Sequence, residues 1–180
     1  IIQLSLSIDK EKEELYAKTF SATHFKNVRT LVLERTGASM NLLESYLGAF
    51  GMHCELTSSQ ASALSMLEAA DGKFAKPFDL FIIDYDTPAG GGFEFIESIR
   101  KNPRIARMPK LIVLLPMMRE DLFDRLDDYG IDMGIGKPII PSILLNGILD
   151  IFNLKAVSAS QPLEKKAGPA RLDGSHRVLL

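Results

Sequence analysis

Phe78-Asp79-Leu80-Phe81-Ile82-Ile83-Asp84 decides the fold. Past its entry residues the run is apolar at consecutive positions and then stops on a carboxylate. A strand made from it has no face to offer water, so it belongs at the centre of a parallel sheet covered on both sides. Working back along the chain, Leu31-Val32-Leu33 reads as another short buried strand, and Gly37-Ala38-Ser39 opens a helix with Met40, Leu43, Leu47 and Phe50 at helical spacing, closed by Gly51. A strand through Cys54-Glu55-Leu56 leads to Ser58 and Ser59 as N-cap candidates, after which Ala63, Leu64 and Leu67 share one helical face.

Working forward from Asp84, a Pro and Gly loop precedes a third helix marked by Phe93, Ile96 and Ile99. A fourth strand follows over 111–115, then a fourth helix carrying Leu122, Phe123, Leu126 and Tyr129 and stopped by Gly130. Residues 131–135 give the last strand and 141–152 the last helix. Strands alternating five times with helices predict an α/β fold: a doubly wound, five-stranded parallel sheet of order 2-1-3-4-5, flavodoxin-like, with helices on both faces.

Composition sets the outer limits. A chain of 180 residues, 46% hydrophobic, suits one well-cored domain with flanking segments. Residues 1–29 read as the end of an upstream region and a linker, 30–153 as the folded body, 154–175 as a flexible linker rich in Ser, Ala, Lys, Pro and Gly, and 176–180 as the start of a following domain. The net charge of −2, from 21 basic and 23 acidic side chains, steers the chain toward neither nucleic acid nor anionic lipid, and no partner of either kind is expected. No apolar run approaches the ~20 residues that cross a bilayer, so direct membrane contact is not expected. The single Cys54 reads as a buried thiol in a reducing cytoplasmic setting.

In a doubly wound sheet, ligands bind beyond the carboxyl ends of the strands where the winding reverses, here after the first and third strands. Those ends carry Glu34, Arg35 and Asp84, with Leu115-Pro116 and Lys137-Pro138 after the neighbouring strands. Acids gathered around one lysine can hold a divalent cation and a phosphoryl group, because hard oxygen ligands suit Mg²⁺ and an ammonium neutralises phosphate oxygens.

Asp84-Tyr85-Asp86-Thr87-Pro88-Ala89-Gly90-Gly91-Gly92 resembles the loop of response-regulator receiver (CheY-like) domains, in which a phospho-accepting Asp precedes Pro by four residues and Gly by eight. Lys137-Pro138 resembles the Lys-Pro pair after the fifth receiver strand, while Arg119-Glu120-Asp121 and Gly130-Ile131-Asp132 are similar to segments of receivers in hybrid sensor histidine kinases. The resemblance covers roughly residues 30–153. It implies Asp84 as phospho-acceptor, Lys137 as the phosphate contact, and Glu34, Asp84 and the backbone of Asp86 as the Mg²⁺ positions. It further implies a parent histidine protein kinase, with this fragment itself not an enzyme, placed between the kinase core and a second receiver. Homodimer contact through the fourth helix, fifth strand and fifth helix is also implied, with Ile139, Ile140, Ile143 and Leu144 supplying the apolar surface.

Three departures from the receiver pattern set the functional expectation. The second acid after the first strand is Arg35, the hydroxyl residue at the end of the fourth strand is Leu115, and the aromatic switch three residues before the lysine is Gly134. A guanidinium removes a hard ligand and adds fixed positive charge; two unit charges about 4 Å apart interact by about 4 kcal/mol at an effective dielectric near 20. Arg35 is therefore expected to pair with Asp84 as a metal-replacing cation, leaving a weak or lost Mg²⁺ site, no cofactor, and a degenerate receiver acting through protein contacts. The alternative is a working phospho-acceptor with an atypical Mg²⁺ site in which Asp86 supplies the missing carboxylate. A flavodoxin-like small-ligand binder lacks any pocket motif.

Blander readings stand beside these. A strand-end Asp before Pro and Gly is often only a turn residue, and it is the register with Lys137-Pro138 that favours a site. Gly90, Gly91 and Gly92 lack the companions of a phosphate loop and read as a flexible turn. His24, His53 and His176 have no partner at metal spacing. Met117-Met118 is either an adaptable contact surface or core filling, and Arg119, Glu120, Asp121, Asp124, Asp127 and Asp128 form a solvated set.

Overall fold

A computed structural model describes residues 25–70, 76–87 and 91–154. The elements run β1 (Arg29–Leu33), α1 (Gly37–Ala49), β2 (His53–Thr57), α2 (Gln60–Ala70), β3 (Leu80–Asp84), α3 (Gly92–Arg100) and β4 (Lys110–Leu115). Two 3₁₀ turns, Glu120–Arg125 and Asp127–Tyr129, precede β5 (Met133–Gly136) and α4 (Pro141–Ile151). All strand pairs are parallel in the order β2-β1-β3-β4-β5, as the doubly wound reading requires.

The unbroken apolar run of β3 is explained by its two buried faces. Phe81 and Ile83 join Leu31, Leu33, Leu111 and Val113 under α2 and α3, while Leu80 and Ile82 join Val32, Ile112 and Leu114 under α1 and α4. Successive side chains of a strand point to opposite faces, so a central strand with helices on both sides has no place for a polar residue until its end. Every residue of β3 is buried.

Local chemistry sets the helix ends. The Thr36 hydroxyl accepts from the Ser39 amide at 3.4 Å and caps α1 one residue earlier than the expected entry, and Gly51 closes the helix at φ 76°. Ser59, and not Ser58, caps α2: its hydroxyl accepts from the Ser62 amide at 3.4 Å. Pro141 opens α4, where its missing N–H costs nothing.

Three expectations change. The fourth helix is absent as an α-helix. Phe123, Leu126 and Tyr129 recur every third residue, the 3₁₀ period, and their amides close i→i+3 bonds: Leu126 onto Phe123 at 3.3 Å and Tyr129 onto Leu126 at 3.2 Å. Four aspartates in that stretch, all poor in helix interiors, favour the tighter turns, and Gly130 ends them at φ 60°. The body also begins earlier than residue 30, because Phe25 is fully buried beside Val32 and Leu47. Cys54 is half-buried. Of the upstream segment read at 1–29, residues 1–24 lie outside the described residues, as do 155–175 of the linker read at 154–175, all of 176–180, and His24 and His176.

Candidate functional site at the carboxyl edge

β1 and β3 lie side by side, so the residues that leave their carboxyl ends meet. Glu34 continues the ladder one step past β1, its amide donating to the Thr57 carbonyl at 3.1 Å, and its side chain turns inward with only 1% of the residue exposed. One carboxylate oxygen, Oε1, accepts from the Thr36 amide at 3.2 Å and from the Thr36 hydroxyl at 3.4 Å. The other, Oε2, is buried without a hydrogen-bond partner.

Asp84 is equally buried. Its Oδ1 accepts from the Asp86 amide at 3.2 Å and from the Lys137 ammonium at 2.6 Å, and the same ammonium stands 3.7 Å from Glu34 Oε2. Lys137 is delivered by β5, its amide donating to the Leu115 carbonyl at 2.8 Å, and its peptide bond to Pro138 is cis. Two buried carboxylates thus share one cation that is 28% exposed at the side chain. Burial pushes the Glu34 carboxyl above its usual 4.5, with the Asp84 charge acting in the same direction, while the Thr36 amide and Lys137 oppose the shift.

The structure therefore brings together Glu34, Asp84 and Lys137, with Asp86 contributing its amide while its side chain faces solvent. It does not bring Arg35. That residue is exposed and forms no ion pair with Asp84; the cation on Asp84 is Lys137. The cause is strand geometry: with Glu34 turned inward at the end of β1, its neighbour points away. Arg35 neither substitutes for a metal nor fills its place in this conformation.

The β4–β5 side of the edge is built differently. Leu115 is fully buried and pairs with Gly136. A Cβ placed on Gly134 would stand 2.8 Å from Leu126 Cδ1, 3.0 Å from Leu115 Cδ1 and 3.2 Å from Phe123 Cε1. Leucine and phenylalanine side chains from β4 and the 3₁₀ turns occupy the space into which a side chain at 134 would grow. Gly91 and Gly92 are not a loose turn either. Gly91 caps the start of α3 at φ 88°, and a Cβ on Gly92 would meet the Tyr85 Cα at 3.1 Å, so the chain entering α3 lies against the backbone that follows Asp84. Gly90 lies outside the described residues.

Several contacts were not foreseen from the residues alone. Gln60, at the start of α2, donates to the buried Thr87 hydroxyl at 2.7 Å and ties that helix to the loop after Asp84. Tyr85 meets Phe93 edge-on at 5.1 Å, Phe93 meets Tyr129 at 4.8 Å, and the Arg125 guanidinium lies over both Phe93 and Tyr129. Thr36 carried a readable sign, since a threonine directly before a helix opening is a favoured N-cap. Gln60 and Phe123 carried none, because long-range side-chain partners leave no periodicity.

Among the described residues no three His, Cys, Asp or Glu side chains converge to hold a metal ion. Two buried carboxylates do converge, one with an uncommitted oxygen, which matches a Mg²⁺ that takes one or two carboxylates and keeps several waters.

Solved structures share this architecture. A sensor protein from Polaromonas sp. JS666 superposes with a TM-score of 0.60 at 22% identity, covering 71% of this chain and 98% of that one. A receiver domain from Clostridium thermocellum gives a TM-score of 0.60 at 19% identity, over 70% of this chain and 94% of that one. The chain has the receiver fold. Among sequence relatives, stress response regulator protein 1 of Meyerozyma guilliermondii is 37% identical over 62 residues, 34% of this chain and 28% of that protein. The probable transcriptional regulator ycf29 of Cyanophora paradoxa is 29% identical over 144 residues, 77% of this chain. The chain spans 28% and 62% of the lengths of these two relatives. No family model matches. Among the described residues no helix is long and apolar enough to cross a membrane.

Proposed function

We propose that this receiver-fold domain is a degenerate receiver of a hybrid sensor histidine kinase, regulating two-component phosphorelay through protein contacts, with impaired Mg²⁺-dependent phosphorylation. The reading places it after a kinase core and before a second receiver, with the domain itself not an enzyme, in the cytoplasm. The observation that carries it is the packing at Gly134. By the resemblance, Leu115, which offers no hydroxyl, stands where a hydroxyl would bond a phosphoryl group on Asp84, and the volume beside β5 is already held by Leu115, Leu126 and Phe123. A group that cannot be hydrogen-bonded by its neighbour and cannot displace a packed core produces no movement there.

The Lys137–Asp84 ion pair supports the same reading, because the resting acceptor already has its cation. The relatives named as regulators and the Polaromonas structure of a sensor protein fit such a setting. Incubation with Mg²⁺ and acetyl phosphate, followed by intact mass, tests it: the expected result is no stoichiometric phosphoryl adduct. A full adduct abolished by Asp84→Asn would overturn it.

A second reading, a working phospho-acceptor, is favoured by one observation: Glu34 Oε2 is buried and unbonded. In that reading Glu34, Asp84 and the Asp86 backbone would hold Mg²⁺, which would neutralise phosphoryl oxygens. Lys137 would leave Asp84 to bond the incoming phosphate, and Gln60 through Thr87 would hold the loop still. Titration with Mg²⁺ separates the two, since only the second requires an affinity that Asp84→Ala removes.

A further inference from the structure

The polar contacts of Asp84 continue toward β2 and α2. The Glu34 amide donates to the carbonyl of Thr57, whose largely buried hydroxyl accepts from the Ser59 amide at 3.3 Å at the start of α2. Gln60 comes next and donates to the Thr87 hydroxyl at 2.7 Å. Thr87 belongs to the loop that leaves Asp84, whose Oδ1 is shared by the Asp86 amide and the Lys137 ammonium. Within that loop Tyr85 is pinned, its amide donating to the Leu114 carbonyl at 3.0 Å and its carbonyl accepting from the Gly92 amide at 2.9 Å. Asp86 and Thr87 are therefore the residues through which a change at Asp84 Oδ1 reaches α2.

Two features give the Gln60–Thr87 bond its leverage. Thr87 is only 6% exposed, and a buried hydroxyl stripped of its partner is costly, so the loop and the helix start shift together. The rest of α2 is held, with Ala63, Leu67 and Ala70 in the core and Glu68 accepting from Asn102 at 2.8 Å and from Arg104 at 3.3 Å. A displacement at Gln60 is thus taken up in residues 60–62, before the packed part of the helix. Toward β5 the path is filled: Leu115, Leu126 and Phe123 surround Gly134, and Leu144, expected at the surface, is fully buried. Met117 and Met118 are exposed and fill no core.

We propose that Gln60 is a positioning residue for the loop after Asp84, and that a change in the Asp84–Lys137 pair is passed through Thr87 to the first turn of α2. This rests on the reading that the packed β4–β5 side stays still, and it names where the state of the site goes instead. When Lys137 leaves Asp84 Oδ1, the Asp86 amide follows the freed carboxylate, Thr87 moves with it, and Gln60 draws the first turn of α2. Coupling across a protein is carried by contiguous hydrogen bonds and packed side chains, and each of these links is at bonding distance.

Amide spectra of the ¹⁵N-labelled chain test this, with Asp84→Asn as the change at the site. Shifts from the wild type are expected at Asp86, Thr87 and residues 60–62. In chains that also carry Gln60→Ala or Thr87→Val, each measured against the same chain with Asp84 intact, the shifts at 60–62 should be lost while those at Asp86 persist. The two substitutions together should lose no more than either alone. Gln60→Glu, whose carboxylate accepts from the Thr87 hydroxyl, should restore the shifts, which a merely structural role for the residue does not require. Should Asp84→Asn fail to fold, Lys137→Met releases the same oxygen and serves in its place. No shift at 60–62 on changing the site, or shifts there that survive Gln60→Ala, would overturn the proposal. Failure of the underlying reading shows separately, as a phosphoryl adduct by mass with shifts at Gly134, and leaves the outcome at 60–62 to be read by itself.

Discussion

The two halves of the carboxyl edge differ in what buries them. On the β1–β3 side two carboxylates are taken out of water and held by a single lysine, with one oxygen left unbonded. On the β4–β5 side the corresponding space holds only hydrocarbon, with Leu115, Leu126 and Phe123 crowded around Gly134. The first half stores electrostatic energy that a proton, a cation or a substitution can release. The second is a close-packed core that yields only at a steric cost. On the proposed reading, chemistry at Asp84 and movement at β5 are uncoupled in this arrangement.

The largest effect that sharpens the contrast should come from Gly134→Leu. A bulky side chain must displace neighbours already within 2.8 to 3.2 Å of its Cβ, so a loss of about 3 kcal/mol in denaturant unfolding is expected. A loss near zero would mean that the packing is loose and that the hydrocarbon side can move. Lys137→Met comes next. It leaves Asp84 and Glu34 buried without a cation, and allowing for the partial exposure of the lysine the cost is about 2 kcal/mol at neutral pH.

Glu34→Gln acts in the opposite direction and depends on pH. The folded chain holds the Glu34 proton more tightly than the unfolded chain, mainly because of burial. The stability it supports is complete below about 4.5 and is lost as pH rises through the elevated value. The glutamine variant, which cannot ionise, should therefore gain on the wild type as pH rises from 4 toward 7, read as the difference between their unfolding free energies. A difference that stays flat over that range would place the Glu34 carboxyl in an ordinary environment. The smallest effect belongs to Arg35→Ala. An exposed side chain with no ion pair to Asp84 should change stability by less than about 0.5 kcal/mol and leave the Lys137–Asp84 contact as it is.

The fold was legible because its cause is local. The apolar run of β3, the glycines after α1 and before β5, and Pro141 each report a backbone need at their own position. Glu34, Asp84 and Lys137 were legible as a group because the ends of parallel strands must gather at one edge. The direction in which Arg35 points was not, since composition names a charge without its rotation about the chain. The 3₁₀ turns were hidden by apolar spacings of three and four that serve either helix type, until the aspartates between them are weighed. The side chains filling the space at Gly134 could not be read at all, because an absent ring says nothing of what replaces it.

On the proposed reading, Asp84 and the packed β4–β5 side do not communicate. Amide spectra of the ¹⁵N-labelled chain, recorded before and after addition of Mg²⁺ and acetyl phosphate, test this most directly. The predicted result is no shift at Leu115, Phe123 or Gly134, whatever happens at Glu34, Asp84 and Lys137. Shifts at those three residues that grow in proportion to a phosphoryl group on Asp84 would contradict it.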